Sequence, residues 1–260
     1  MNFTRRSFLG SSLVTTVFAA NQGNFSNVRI AGKYPLHLQG VCTNHRDRIY
    51  WSFTDALVTT DLKGNVLTKT AGPNHLGDLC YKDGKLYVAV NLGLFNDPQK
   101  RADSWVYVYK ASDLTLLERH KTPEAVYGAG GIAEHQDRFM VVGGLPEGFE
   151  ENYLFEYDRN FKFIRKHTLH SGYTRMGIQT AAFSDHHWWF GCYGAPEVLL
   201  KADKDLRTVQ RYEFSCSLGI VPIAPRTFLI AKGACVKGEG CSAELVIADA
   251  DEMKGLSIRS

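Results

Sequence analysis

The chain has 260 residues, 44% of them hydrophobic and 12% aromatic, with 30 basic side chains against 27 acidic ones. A formal charge of +3 gives no electrostatic footprint for nucleic acid, and no basic amphipathic helix marks a membrane-surface segment. The length and apolar content suffice for a sizeable core, and the many Phe and Tyr residues suit half-buried strands.

Taken in chain order, Thr4-Arg5-Arg6-Ser7-Phe8-Leu9 resembles a twin-arginine export motif. The SSLVTTVFAA run behind it falls short of the ~20 apolar residues that a membrane-spanning helix needs. Its end, near Ala20, offers small residues for cleavage. Residues 1–20 are therefore expected to be a twin-arginine signal peptide. Residues 21–260 are expected to form one domain, periplasmic or secreted, with no stable membrane anchor.

A strand-like stretch, NVRIAGKYPL, comes next and has no unit of its own. HLQGVCTNHRDRIYWSF follows from His37 and reads as a strand, a polar turn and a second strand. The pattern returns as HLGDLCYKDGKLYVAVN from His75, GAGGIAEHQDRFMVVGG from Gly128, MGIQTAAFSDHHWWFGCYG from Met176 and SLGIVPIAPRTFLIAKG from Ser217. Gly40, Asp78, Gly131, Thr180 and Gly219 align as equivalents, separated by 38, 53, 49 and 39 residues. The first four units each continue into a third and a fourth strand, and four strands per repeat of this length is the composition of a propeller blade. The predicted fold is all-β, a five-bladed β-propeller. The last unit ends in DEMKGLSIRS, which supplies no convincing fourth strand. Residues 28–36 are therefore expected to complete the last blade and close the ring, hiding strand edges that would otherwise be bare.

Loop lengths separate the two faces of such a ring. Connections within hairpins are short (KDG, HQD, SDHH), whereas those that enter inner strands or leave second strands are long and polar (LGLFNDPQKRADS, TPEAVYGAG, HSGYTRMG). Long loops on a rigid scaffold tend to carry binding, so the long-loop mouth of the axis is the expected site. The inner strands would bring His37, Gln39, His75, Asp78, Arg175 and Gln179 to it, and the ends of second strands would add Asn91, Tyr193 and Lys232. Tyr173 stands on the same side, where it could stack on a ring. His37 and Gln39 point the same way because they are two apart on a strand. His75 and Asp78 are the candidate catalytic pair, His37, Gln39, Asn91, Tyr173, Arg175, Gln179, Tyr193 and Lys232 the candidate substrate contacts, and no metal site is assigned.

Two other patterns read as construction. An acidic residue precedes each third strand (Asp55, Asp103, Glu151, Glu197, Glu244), and fivefold recurrence is what a structural role predicts. His186-His187-Trp188-Trp189-Phe190 reads as turn plus core. Cys235 and Cys241 share a Gly-rich loop that they could close, whereas Cys42, Cys80 and Cys192 read as small buried hydrophobes. With no Cys-x-x-Cys, zinc-ribbon and thioredoxin-type chemistry have no signature here.

Leu38-Gln39-Gly40-Val41 followed by Ile49-Tyr50-Trp51-Ser52 resembles the first blade of bacterial and plant glutaminyl-peptide cyclotransferases. The family's motif is Phe-Thr-Gln-Gly-Leu leading to Leu-Tyr-Glu-Ser, so Gln39, Gly40, Tyr50 and Ser52 correspond and Trp51 replaces the family's acid. The resemblance implies a five-bladed propeller and covers about 15 residues. The expectation is a monomeric exported protein, either a hydrolase or transferase acting on a small polar ligand such as a sugar or peptide, or a non-catalytic glycan- or peptide-binding module or scaffold. No cofactor is identifiable from the residues.

Overall fold

The computed structural model describes residues 24–259, and the twin-arginine segment lies outside them. No helix occurs among the described residues. The chain opens with β1 (Val28–Arg29) and then lays down blade one as β2 (Leu38–Thr43), β3 (Ile49–Phe53), β4 (Ala56–Thr60) and β5 (Val66–Ala71). Blade two is β6 (Leu76–Lys82), β7 (Lys85–Asn91), β8 (Ser104–Lys110) and β9 (Leu116–Lys121). Blade three is β10 (Ala129–His135), β11 (Arg138–Gly143), β12 (Asn152–Tyr157) and β13 (Phe163–Leu169). Blade four is β14 (Arg175–Ser184), β15 (His187–Tyr193), β16 (Val198–Asp203) and β17 (Val209–Glu213). Blade five has β18 (Ile220–Ala224), β19 (Thr227–Val236) and β20 (Gly240–Asp251), with β21 (Gly255–Ile258) last. Each blade is an antiparallel meander, and the five sheets form the expected five-bladed propeller.

The ring closes as expected, by the N-terminal strand joining the last blade, but the C-terminal segment also supplies a short strand there. β1 does pair with β20, Val28 facing Leu245 and Arg29 facing Glu244, and Tyr34 adds a bridge to Cys241. Only half of β20 is covered in this way. The other half pairs with β21, Ala248 facing Ile258 and Asp251 facing Gly255. The DEMKG segment is thus a turn, with the Asp251 carboxylate accepting the amides of Met253 and Lys254 and Gly255 supplying a φ of +74°. Leu-Ser-Ile is a strand too short to be read without its partner. Both ends of the fold meet at Ile247, whose amide donates to the Asn27 side chain and whose carbonyl accepts from Arg259 N–H.

The core lies between blades rather than at the axis. Trp51, Phe53 and Val58 of blade one pack against Val221, Leu229 and Leu245 of blade five, and comparable clusters fill the other four blade junctions. Trp51 and Phe53 are fully buried. Truncating such a side chain costs about 3–5 kcal/mol. The disulfide joins Cys235 to Cys241 across the β19–β20 hairpin, while Cys42, Cys192 and Cys216 are buried thiols and Cys80 is half-buried.

Candidate functional site

The inner strands share a local irregularity. Their pairing slips between Leu38 and Gly40, Leu76 and Leu79, Ala129 and Gly131, and Ile178 and Thr180. A β-bulge of this kind re-aims the extra residue. It places Gln39 in blade one, Gly77 and Asp78 in blade two, Gly130 in blade three and Gln179 in blade four, so the matching of Gln39 with Gln179 is a matching of bulges. The two glutamines then part company. The Gln179 amide donates to the Met176 carbonyl at 2.7 Å, within its own strand. Gln39 turns outward to the histidines.

Its amide nitrogen lies 2.6 Å from His75 Nε2, 2.8 Å from His37 Nε2 and 3.2 Å from Thr54 Oγ1. An amide nitrogen has two hydrogens. The two short contacts use them, which requires a bare Nε2, and hence an Nδ1–H tautomer, on both rings. The Thr54 hydroxyl donates to the His37 carbonyl at 3.2 Å and supports the group from beneath. Gln39 is buried, His75 is half-buried and His37 keeps an exposed edge. Burial lowers the pKa of His37, and burial together with the nearby His37 lowers that of His75. Both imidazoles are therefore neutral at pH 7, with ring centres 6.3 Å apart and planes nearly perpendicular.

The 92–103 loop reaches over this pair. Asn91 anchors its base, donating from Nδ2 to Gly93 O at 2.9 Å and accepting Asp103 N–H at Oδ1 at 3.0 Å. Both ends of the Asn91 side chain are thereby committed to the loop. Phe95 lies 6.3 Å from the His75 ring and nearly parallel to it. It sits so close to Gly128 and Gly130 that a Cβ at Gly128 would run into its ring. Asn96 N–H then donates to Tyr127 O at 2.8 Å, which fastens the loop of blade two to blade three. Neither Phe95 nor Thr54 was picked out from the sequence. The signal for Phe95 was a lone aromatic in the longest polar loop.

Asp78 is only 2% exposed. Its Oδ2 accepts Ala181 N–H of blade four at 3.2 Å, and its Oδ1 has no hydrogen-bond partner. Blades two and four are not neighbours in a five-membered ring, so this carboxyl spans the axis. Burial drives its pKa well above the usual carboxylate range, partly opposed by backbone amides including those of Leu79, Ala181 and Val41. Gly40 makes room for it, because a Cβ there would overlap the Asp78 carboxylate and backbone.

The other candidates stand around the mouth without joining the histidine network. Arg175 is exposed and faces half-buried Tyr193 across the β14–β15 ladder. Burial and Glu197 raise the Tyr193 pKa. Tyr173 is held through its carbonyl, which accepts from Arg211 at 2.9 Å. Lys232 pairs in register with Glu244, whose carboxylate is bound by Arg29 at 2.8 Å. That ion pair, the Lys121–Asp103 pair at 3.4 Å, the Tyr153–Glu151 bond at 3.2 Å and the Ser217–Glu197 bond at 3.2 Å give four of the five acids local partners, whereas Asp55 Oδ1 is buried without one.

The largest of the described cavities, about 1350 Å³, opens on the opposite, short-turn face, lined mainly by blades three and four with His45 and Arg46 of blade one and Pro222 to Pro225 of blade five. Trp188, Trp189 and Phe190 are core and His186 is in the turn, as expected, and Trp188 and His186 also border this cavity. No group of three or more metal-ligating side chains occurs among the described residues.

Compared with known protein families and with curated proteins, the chain matches none. Solved structures do resemble it. Glutaminyl cyclase of Myxococcus xanthus is 11% identical with a TM-score of 0.52, covering 91% of this chain and 99% of that one. Xylan beta-1,4-xylosidase from Bacillus halodurans C-125 is 13% identical with a TM-score of 0.62, covering 92% of this chain and 56% of that one. The likeness to the cyclase propeller read from Gln39, Gly40 and Tyr50 therefore holds at the level of fold. In this chain the residue after Tyr50 is Trp51, buried in the junction of blades five and one, with its indole N–H donating to Thr60 at 3.0 Å.

Proposed function

We propose that the long-loop mouth is the site of an exported acid–base enzyme, a hydrolase or transferase of a small polar substrate, with His75 and His37 as the proton-transferring pair. The observation that carries this reading is the single Gln39 amide within 2.8 Å of both Nε2 atoms. It holds two neutral imidazoles in one tautomer, ready to take a proton near neutral pH. Substrate entering would compete for Gln39 and free one Nε2 lone pair as base. The proton that this ring takes up would then be passed on to the leaving group, so that both rings begin and end a turnover neutral. Arg175, Tyr173, Tyr193 and Lys232 supply charge and ring faces for binding, and Phe95 limits water above His75. Asp78 acts as a positioning residue that ties inner strands together. Two structural neighbours are enzymes by name, which is compatible with catalysis but does not choose the reaction. The Cys235–Cys241 disulfide supports an oxidising compartment, in keeping with the twin-arginine segment.

A non-catalytic glycan- or peptide-binding module is the second reading. It is favoured by Asp78 being sealed and tied across the axis, since glycoside hydrolysis of the usual kind needs two accessible carboxyls about 5–9.5 Å apart. A turnover screen with N-terminal glutaminyl peptides, aryl glycosides and aryl esters separates the two readings. Catalysis predicts product with at least one class and its loss in His75→Ala and His37→Ala proteins that still melt cooperatively. Saturable binding without product in every class, or full turnover in both variants, would overturn the assignment.

A further inference from the structure

We propose a second binding site on the short-turn face, a cleft between blades three and four that takes a small organic anion carrying a flat ring. In blades two, three and four the first and second strands are joined here by two-residue hairpins, which ordinarily only turn the chain. In blade two the turn is Asp83-Gly84, with φ positive at both residues and glycine at the second, as such turns prefer. Blades three and four make the same turn with Gln136-Asp137 and Asp185-His186, all four in the left-handed region without a glycine. Gln136, Asp185 and His186 thereby present side chains at the rim of the 1350 Å³ cavity.

One wall of the cleft is aromatic. The His135 ring stacks on Phe183 with centroids 3.5 Å apart, and Phe183 meets Trp188 edge-on at 5.0 Å. Trp188 is anchored by its indole N–H, which donates to Lys204 O at 3.3 Å. His135 and Phe183 are half-buried over the buried Trp188, and a flat surface of this kind suits a ring.

The charge around it is unbalanced in one direction. Glu156 is nine-tenths buried, and Arg165 at 2.7 Å and His167 at 2.8 Å bind it from the side. Lys204 holds Asp205 at 3.0 Å, and Arg226 stands 3.9 Å from Asp185. That leaves Arg46, Arg138 and Arg207, contributed by blades one, three and four, lining the same cavity. None of the three has a side-chain hydrogen bond or ion pair among the described residues. Guanidinium groups left free around one concavity match the planar oxygens of a carboxylate or phosphate. Ring and head group are thus both provided for, on the face opposite the histidine pair.

Titration calorimetry of the full chain with 1-naphthyl phosphate, 1-naphthoate, inorganic phosphate and 1-naphthol tests this. Saturable binding of one or both naphthyl anions is expected, tighter than that of inorganic phosphate or naphthol, and the tighter of the two identifies the head group. Arg138→Ala and Arg207→Ala should each weaken it about tenfold, as loss of a charge-assisted hydrogen bond does. Arg138→Lys should weaken it less, and Phe183→Leu should remove the preference for the ring. His37→Ala should leave it unchanged. Equal affinity for naphthyl phosphate and inorganic phosphate, no binding of either naphthyl anion, or undiminished binding in the Arg138→Ala/Arg207→Ala double variant would overturn the proposal. The readout involves no turnover, so its failure is separate from failure of the acid–base reading.

Discussion

The two faces of the ring are made by the same five meanders, yet they treat polar side chains in opposite ways. On the long-loop face most of the polar groups that meet at the mouth bind one another, with Asp55 Oδ1 and Asp78 Oδ1 buried without a partner. Gln39 serves two histidines, Asn91 fastens its loop, and Asp103, Glu151, Glu197 and Glu244 before the third strands find local partners. On the short-turn face three arginines are left without partners around the largest described cavity, and Gln136, Asp185 and His186 hold left-handed hairpin turns at its edge. A pre-connected network favours proton movement, because tautomers are set before substrate arrives. An unpaired cationic cleft favours capture of charge. One scaffold can host both because blade packing lies between the sheets and constrains neither end.

The largest expected effect separates the faces by chemistry. His75→Ala should reduce turnover by about 10²-fold or more, the usual loss on removing a positioned base, whereas Arg138→Ala should leave kcat/KM on the same substrate unaltered. A comparable loss in both variants would mean that one ligand path serves both faces. Next comes stability at the axis. Gly40→Ala would force its methyl into Asp78 and should destabilise by about 1–3 kcal/mol, the usual range for overpacking. Urea melts against Gly233→Ala, which like Gly40 lacks a positive φ and would closely meet only the end of the Leu218 side chain, at 3.1 Å, isolate that crowding from glycine's backbone freedom.

The pH dependence is smaller and has a defined sign. Both histidine pKa values are lowered from 6.5, so the base form persists at pH 7 and is lost only below the ordinary histidine range. Turnover should therefore hold level from pH 7 down to about 6.5 and fall in more acidic buffer. The unfolded chain takes up protons first, so the same groups make folding less favourable as pH drops from 6.5 to the lowered values. A rate profile that falls already between pH 8 and 7 would contradict neutral imidazoles at neutrality. The smallest effect is His186→Gly, which relieves a left-handed residue at the cleft rim and should raise stability by about 0.5 kcal/mol, the difference between αL strain and glycine's entropy. A drop in stability would show that His186 makes contacts outweighing its strain.

Much of the ring was legible because a blade is a local object. Strand period, polar turns and the recurrence of Gly40, Asp78 and Gly131 are written within each unit. His37, Gln39 and His75 could be placed at one mouth because they stand at the starts of neighbouring inner strands. Three things were hidden. The partition of β20 between two short strands depends on pairing between chain ends, and four residues of β21 carry too little pattern alone. The commitment of Asn91 to its loop and of Asp78 to blade four depends on contacts made only when the ring has closed. The cleft depends on the spacing between blades three and four, which no single repeat encodes, and turns such as Gln136-Asp137 look like mere connectors until their backbone angles are known.

The sharing of β20 has a consequence in time. Arg29 and Glu244 are 215 positions apart, so the first strand has no lateral partner until nearly every blade has been made. Contacts of such separation are entropically expensive to form and slow to be found. Four blades can mature as the chain emerges, while residues 28–30 wait for Ala243 to Leu245 and the other half of the same strand waits for Gly255 to Ile258. Ile247, gripped from both sides, is where those two late events meet, so its amide should be among the last to gain protection from hydrogen exchange during refolding.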